Sequence, residues 1–377
     1  MELTQQILDY IQTNRQQAYD LLLELAQIPA PSNHEEKRAD FCRSWLEAHG
    51  AKEVWVDDAF NVILPIGVDD EGPLVVVCAH TDVVFPDEET LPLRVADSRI
   101  CCPGIGDDTA NLTAMLMAAR YILEHDLRPA RGGMLLTANA GEEGLGNLKG
   151  TRALMERYGH RVTEFISLDA WNRKVFHRAV GSVRYRVEVH TQGGHSYEKF
   201  GSPNAIHQLA QLIAELYAFE VPTRGKTTYN VGTIQGGTSV NTIAQRAHMR
   251  YEIRSDHMED MREMEQRLLD LIRARQQAGQ DIRVEVIGVR PCMGEVDMDR
   301  QHALENRACR AVERHFGGTA VLESASTDCN IPQSMGIPAV AVGCFLGGGA
   351  HTREEYVEID SLLPGLNVAF EMILHYF

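Results

Sequence analysis

Leu74-Val-Val-Val-Cys-Ala-His80-Thr-Asp82 is an uninterrupted apolar run that ends on an imidazole and, two residues on, a carboxylate. With no polar alternation, such a run reads as a strand buried on both faces, inside a sheet covered by helices on each side. Further short, mainly apolar runs lie at Val54–Val56, Asn61–Pro65, Met134–Ala140, Glu164–Leu168 and Pro338–Val342. Helical periodicity separates them: residues 3–25, stopped by Pro29 and Pro31; about Asn33–His49, with Gly50 placed to end it; Asp108–His125; and Leu148–Tyr158. Strand and helix in alternation predict an α/β domain with helices on both faces of a mixed, mostly parallel sheet.

The rhythm changes near residue 178. Ser182–His190 alternates strictly, as a half-exposed strand does. A helix over Asn204–Phe219, strands at Thr227–Ile234 and Arg246–Arg254, a helix over Met258–Gln277 and a strand at Asp281–Val289 follow. That order, β-α-β-β-α-β, is the split unit of a ferredoxin-like α+β domain. The 377 residues suit two or three domains at ~150 residues each. The expected organisation is a larger discontinuous domain, residues 1–177 and 292–377, with a smaller domain inserted at 178–291.

Lys and Arg number 36 against 53 Asp and Glu, a formal charge of −17 that repels phosphate backbones and anionic lipid. No apolar run approaches the ~20 residues of a membrane helix. Nucleic acid and membrane are therefore not expected partners. The polar start, MELTQQILDYIQTNRQQ, lacks a signal-peptide pattern, and the eight cysteines include no C-x-x-C pair. Reduced thiols in a cytoplasmic protein are the expectation.

Five segments carry chemistry. His80 and Asp82 stand where an apolar strand ends, the edge on which α/β sheets bind ligands; a carboxylate two residues on can orient an imidazole. Gly104-Ile-Gly-Asp107-Asp108 is a tight turn into a helix, where acids also serve as plain caps. Glu142 and Glu143 sit in a glycine-rich loop after another strand, where their repulsion calls for a cation. Asp169 ends a fourth segment, and Gly347-Gly-Gly-Ala-His351-Thr-Arg follows the last strand through a flexible loop. Each is weak alone. Together they place two imidazoles and several carboxylates on one sheet edge, the donor mix of divalent zinc, cobalt or manganese. Two metals sharing one carboxylate account for so many converging acids; such sites polarise a carbonyl and activate water.

The order H-x-D, G-x-G-D-D, G-E-E-G, a strand-end Asp and G-G-G-x-H-T resembles the co-catalytic di-zinc peptidase family. That family includes peptidase T, glutamate carboxypeptidases, aminoacylase, carnosinase-like dipeptidases and deacylases of acylated amino acids. The resemblance spans essentially the whole chain, including Gly193-Gly-His195-Ser and Gly236-Gly-Thr-Ser-Val-Asn241 of the insert. It is nearest to peptidase T-like members, on Thr227-Thr-Tyr-Asn-Val-Gly and Gly237-Thr-Ser-Val-Asn-Thr-Ile-Ala.

The resemblance implies two divalent ions per chain, zinc with cobalt or manganese as substitutes. His80 and Asp169 would hold one ion and Glu143 and His351 the other, with Asp107 bridging. Asp82 would orient His80, and Glu142 would be the general base. His195, Asn241 and Arg254 match substrate-binding positions, and His195 would reach a partner's site across a homodimer built on the inserted dimerisation or lid domain. Two positions depart from the family pattern: Thr109 follows the paired acids, and Glu252-Ile-Arg254 replaces Asp-x-Arg. Both bear on substrate choice.

The expected function is a metal-dependent exopeptidase or amidohydrolase, tripeptidase-like, cleaving small peptides. Glu142 would take a proton from the attacking water and hand it to the leaving amine. His195 would donate to the oxyanion, and Arg254 and Asn241 would grip a terminal carboxylate. A deacylase of N-acyl amino acids is the alternative within the enzyme class. A catalytically silent binding member of the family would dispense with Glu142, which is present. An exported two-lobed solute-binding protein would carry a signal segment, and none is seen.

Overall fold

The computed structural model describes residues 2–377. In chain order, α1 (Gln5–Gln27) and α2 (Glu36–Ala48) precede β1 (Trp55–Val56), β2 (Val62–Ile66) and β3 (Leu74–His80). Next come β4 (Arg94–Ala96), β5 (Arg99–Cys101), α3 (Asn111–Glu124), β6 (Gly133–Asn139), α4 (Lys149–Tyr158), β7 (Val162–Ser167) and β8 (Lys174–Ala179). A middle stretch holds β9 (Gly181–His190), β10 (Gly194–His195), α5 (Ala205–Leu216), β11 (Thr227–Gly236), β12 (Thr242–Ile243), β13 (Arg246–Ser255), α6 (Met258–Gln277) and β14 (Asp281–Arg290). The chain ends with α7 (Met298–Phe316), β15 (Val321–Ala325), α8 (Asn330–Ser334), β16 (Ala339–Val342), β17 (Gly347–Gly348), β18 (Tyr356–Glu358) and α9 (Leu362–Leu374). It divides into two compact units, one running up to Ala179 and resuming over Gly294–Phe377, the other Val180–Met293.

In the larger unit eight strands lie in the order β1-β2-β6-β3-β7-β16-β8-β15. The four central strands, β6, β3, β7 and β16, are parallel to one another; β2 and β8 flank them antiparallel. All seven residues of β3 are buried, and so are all seven of β6. Alternate side chains of these strands feed two cores. One face packs Val75, Val77, Met134 and Leu136 with α1, α2, α3, α7 and α9; the other packs Val76, Cys78 and Leu135 with residues of α4 and α8. The mixed α/β sheet with helices on both faces is as expected. Helix α1 shows the local logic: Thr4 caps it, accepting from the Ile7 N–H, and its buried stripe runs Ile7, Ile11, Ala18, Leu21, Leu22, Leu25.

Two details differ from expectation. The helix read as starting at Asp108 begins only at Asn111, because Asp107 and Asp108 lie in an irregular turn with non-helical dihedrals (φ −100°, ψ 90° and φ −122°, ψ 15°). Strand β8 and its parallel neighbour β15 are additional to the apolar runs. Their mixed sequences, Lys-Val-Phe-His-Arg-Ala and Val-Leu-Glu-Ser-Ala, suit the sheet's edge rather than its centre.

The smaller unit pairs its strands antiparallel in the order β11-β13-β9-β14. With α5 after β9 and α6 after β13, this is the ferredoxin-like arrangement. Val183, Tyr185, Val187 and Val189 of β9 and Ala247, Met249, Tyr251 and Ile253 of β13 face the two helices, whose Leu209, Leu212, Met264 and Leu268 complete the core. The alternating residues Arg184, Arg186, Arg246 and Arg250 stand on the opposite face.

Candidate metal centre

The chemistry-bearing residues of the larger unit come from the carboxyl ends of the four parallel central strands. His80 is the last residue of β3; Glu142 and Glu143 follow β6; Asp169 follows β7; His351 lies in the loop between β17 and β18, beyond β16. Asp107 and Asp108 enter from the turn before α3. Three groups have ligating atoms within 4.8 Å of one another: His80, Asp107, Asp108 and Asp169; His80, Glu142 and Glu143; Asp107, Glu143 and His351. The groups overlap, so the seven residues form one cluster.

Asp107 is its centre. Its Oδ1 lies 3.1 Å from His80 Nε2 and its Oδ2 lies 3.1 Å from His351 Nε2. His351 Nε2 also lies 3.0 Å from Glu143 Oε1. Asp82 stands behind this set. Its backbone carbonyl is 3.0 Å from His80 Nδ1, while its carboxylate oxygens accept the N–H groups of Glu142 and Glu143, each at 2.9 Å. The Asp82 carboxylate is 3.5 Å from His80 Nδ1, so the closer contact on that imidazole is the carbonyl. Ser32 donates to Asp82 Oδ2 at 2.7 Å.

Electrostatics follow from burial and crowding. Burial raises the Asp169 carboxyl well above the carboxylate range; His80 opposes this, and the charges of Asp107 and Glu142 add to it. Glu143 is pushed up to about 7 by burial and the neighbouring Asp107. Burial would raise Asp107 too, but hydrogen bonds to His351 and His80 hold it below its usual value. Burial disfavours the His80 imidazolium, and the nearby Asp108, Asp107 and Asp82 outweigh that and raise its pKa. Hydrogen bonds to Asp107 and Glu143 raise His351 to about 11.

Three residues support the cluster from behind, and two of them, Glu355 and Arg38, carry no signal in the sequence. Glu355, buried, accepts the N–H groups of Gly104, Gly106 and Asp107 at 3.0, 2.8 and 2.8 Å. It fixes the turn that presents Asp107; Gly104 adopts φ +73° there, a conformation suited to glycine. Arg38, wholly buried, donates to the Thr81 carbonyl at 2.9 Å, to Thr109 Oγ1 at 3.2 Å and to the carbonyls of Leu25 and Ile28. It ties the turns after His80 and after Asp108 to the end of α1. Asp108 accepts the His80 N–H at 2.8 Å and Asn111 Nδ2 at 2.6 Å. The partners of Glu355 lie some 250 positions away in sequence.

The model of peptidase family M20/M25/M40 matches residues 76–375. The chain belongs to that family. Succinyl-diaminopimelate desuccinylase of Corynebacterium glutamicum is 25% identical over 358 residues, 91% of this chain and 92% of the relative. A tripeptidase from Staphylococcus aureus superposes with a TM-score of 0.76 at 22% identity, covering 96% of this chain and 98% of the other. Human carnosine dipeptidase 1 gives 0.73 at 14% identity, with 98% of each chain covered. This M20-family chain is accordingly a metallo-hydrolase acting on amide bonds, and its fold is that of the family.

The remaining expected residues lie in the smaller unit. His195, exposed on β10, pairs with Thr242 of β12 in a two-stranded ribbon, and the Ser196 N–H donates to the Asn241 carbonyl at 3.0 Å. The structure thus brings His195 and Asn241 together. Arg254 stands near the far end of β13, eight residues beyond Arg246, a span of roughly 25 Å at ~3.3 Å per residue. Its guanidinium is held by Glu252, with Nε 2.7 Å from Oε1. Within one chain, His195 and Arg254 are at opposite ends of the sheet.

Among the described residues no helix is long and apolar enough to cross a membrane, and all eight cysteines are free.

Proposed function

We propose that this M20-family chain is a tripeptidase-like exopeptidase that hydrolyses small peptides with two divalent ions, zinc or its substitutes cobalt and manganese. The observation that carries this reading is Asp107, which offers one carboxylate oxygen to each of two imidazoles, the arrangement a bridging ligand needs. Two histidines with carboxylates fit such ions by donor chemistry. His80 and Asp169 would hold one, Glu143 and His351 the other. When bound, the ions would polarise the scissile carbonyl and lower the pKa of a water.

The chain's own groups do the rest. Glu142, within the same group as His80 and Glu143, takes the proton of the attacking water and returns it to the leaving amine. Asp82 positions Glu142 and Glu143 through their N–H groups and His80 through its carbonyl. His195 donates to the developing oxyanion, and Arg254 and Asn241 grip a substrate carboxylate. Because His195 and Arg254 lie far apart in one chain, a site that uses both takes them from two copies, and the resemblance assigns His195 to the partner. The working form is a homodimer formed through the inserted domain, residues 178–291, and the setting is cytoplasmic. The 25% identity to a desuccinylase favours a second reading, deacylation of N-acyl amino acids.

The test is a panel of di- and tripeptides and N-acyl amino acids, assayed for released amino acid with zinc, cobalt or manganese. Metal analysis of protein purified without chelator should give two ions per chain. Chelation should abolish hydrolysis, and metal should restore it. Preference for tripeptides supports the first reading, and preference for acylated amino acids the second. Full activity in exhaustively chelated, metal-free protein refutes the site.

A further inference from the structure

His351 is the least secured member of the cluster. Its side chain is 56% exposed, its backbone adopts φ +64°, and three glycines, Gly347 to Gly349, precede it. The ends of its loop are fixed: the Asn172 side chain exchanges hydrogen bonds with the backbone of Gly347, at 2.9 and 3.0 Å, and Glu355 is held by the turn before α3. Between those anchors the loop folds on itself, with the Thr352 N–H and hydroxyl both donating to the Gly349 carbonyl.

Arg353 supplies the tie outward. Its Nη1 and Nη2 meet Asp87 Oδ1 and Oδ2 at 3.0 and 2.7 Å, a two-pronged pair. The same guanidinium lies 4.9 Å from the centre of the Phe85 ring, and Phe85 is buried. Asp87 and Phe85 belong to the loop that leaves β3 directly after His80 and Asp82. That loop is itself pinned, by the Val83 N–H on the Ala30 carbonyl and by the Leu91 N–H on the Gln27 carbonyl.

We infer that the Arg353–Asp87 pair, seated on Phe85, is a clasp that positions His351 and thereby sets the affinity of the second ion. Arg353 is not among the clustered ligand-bearing residues; it is a positioning residue. His80 and Asp169 stand at the ends of β3 and β7, outside the loop that carries His351. The clasp therefore separates the two ions: the one held by His80 and Asp169 stays when the clasp is opened, and the one held by Glu143 and His351 weakens. The inference rests on the two-ion reading above.

The test measures zinc binding directly, by competition with a chromophoric chelator, for the wild type, Arg353→Met, Asp87→Asn and the exchanged pair Arg353→Asp with Asp87→Arg. Both partners are partly exposed, at 48% and 31%, so the variants should fold; unfolding midpoints of the chelated proteins check this. The wild type should bind two ions. Each single variant should keep the first unchanged and lose at least about tenfold in affinity for the second, the scale of a lost supporting contact. The exchanged pair should recover most of that loss. Raising salt should weaken the second ion in the wild type and have less effect in Arg353→Met, because a partly exposed pair is screened. Equal second-ion affinity in the wild type and both single variants overturns the clasp alone, and an exchanged pair that recovers nothing overturns its ionic nature. Fewer than two ions on the wild type overturns the two-ion reading and the clasp with it.

Discussion

The carboxylate of Asp82 accepts the backbone N–H of Glu142 at 2.9 Å, and its other oxygen does the same for Glu143. The end of β3 thus sets the place of the paired glutamates after β6. Asp82→Ala should lower kcat about tenfold to a hundredfold and weaken metal binding, the usual cost of removing such a support. Asp82→Asn turns one acceptor into a donor that faces an N–H, so it should be nearly as damaging. Paired kinetics and metal titration check this; an Asn variant with wild-type values on both counts would show that the carboxylate does nothing there.

Glu142 and Glu143 are adjacent, and the proposed roles separate them. Glu142→Ala should keep both ions and lose about a hundredfold or more in kcat, as expected for a missing general base. Glu143→Ala should lose one ion, since Glu143 Oε1 lies 3.0 Å from His351 Nε2. Metal content measured alongside kcat decides between the roles. Equal loss of metal in the two variants would contradict the division.

What could be read from the sequence follows a physical divide. Strands β3 and β6 carry their burial in their own composition, so their apolar runs announced both the sheet and the edge where His80 and Glu142 emerge. Edge strand β15 and its neighbour β8 bury less and mix charged with apolar residues, and they left no such trace. The cluster members were legible because each terminates an apolar run or lies in a glycine-rich turn. Glu355 and Arg38 were not, because a buried carboxylate on three N–H groups and a buried guanidinium on carbonyls are defined by partners distant in sequence. The turn at Asp107 and Asp108 carries the acids and short residues that also cap helices, so it looked like the helix it only precedes.

Acid should weaken the fold through Glu164. Burial raises this carboxyl, but Arg307, whose Nη2 is 2.6 Å from Oε2, and the Tyr376 hydroxyl outweigh burial and hold it below its usual value. A carboxylate with a depressed folded pKa contributes stability above its unfolded pKa, about 4.3, and loses it as pH falls through the lower folded pKa. Urea midpoints of chelated wild type and Glu164→Gln should therefore differ in favour of wild type at neutral pH. The gap should narrow as pH drops below about 4. A gap that stays constant across this range would assign the stabilisation to packing instead.

The arrangement across the proposed dimer is the sharpest expectation. His195 lies on a ribbon with Asn241, next to glycines with φ +64° and +143° at Gly193 and Gly194, and belongs to a different unit from every proposed metal ligand. An imidazole so placed can donate to an oxyanion without joining the ligand set. His195→Ala should keep both ions and the fold, yet lose ~2–4 kcal/mol of transition-state stabilisation. Subunit exchange tests where it acts. If His195 serves the partner's site, a dimer of one His195→Ala subunit and one Glu142→Ala subunit has one site with both defects and one with neither. An equal mixture at full exchange should then recover about a quarter of wild-type activity, since half the two-fold dimers are mixed and each holds one intact site. If His195 serves its own subunit, each site in the mixed dimer keeps one defect and nothing is recovered. A chain that remains monomeric at assay concentration, or verified mixed dimers without recovery, would refute the trans arrangement and leave the metal cluster untouched.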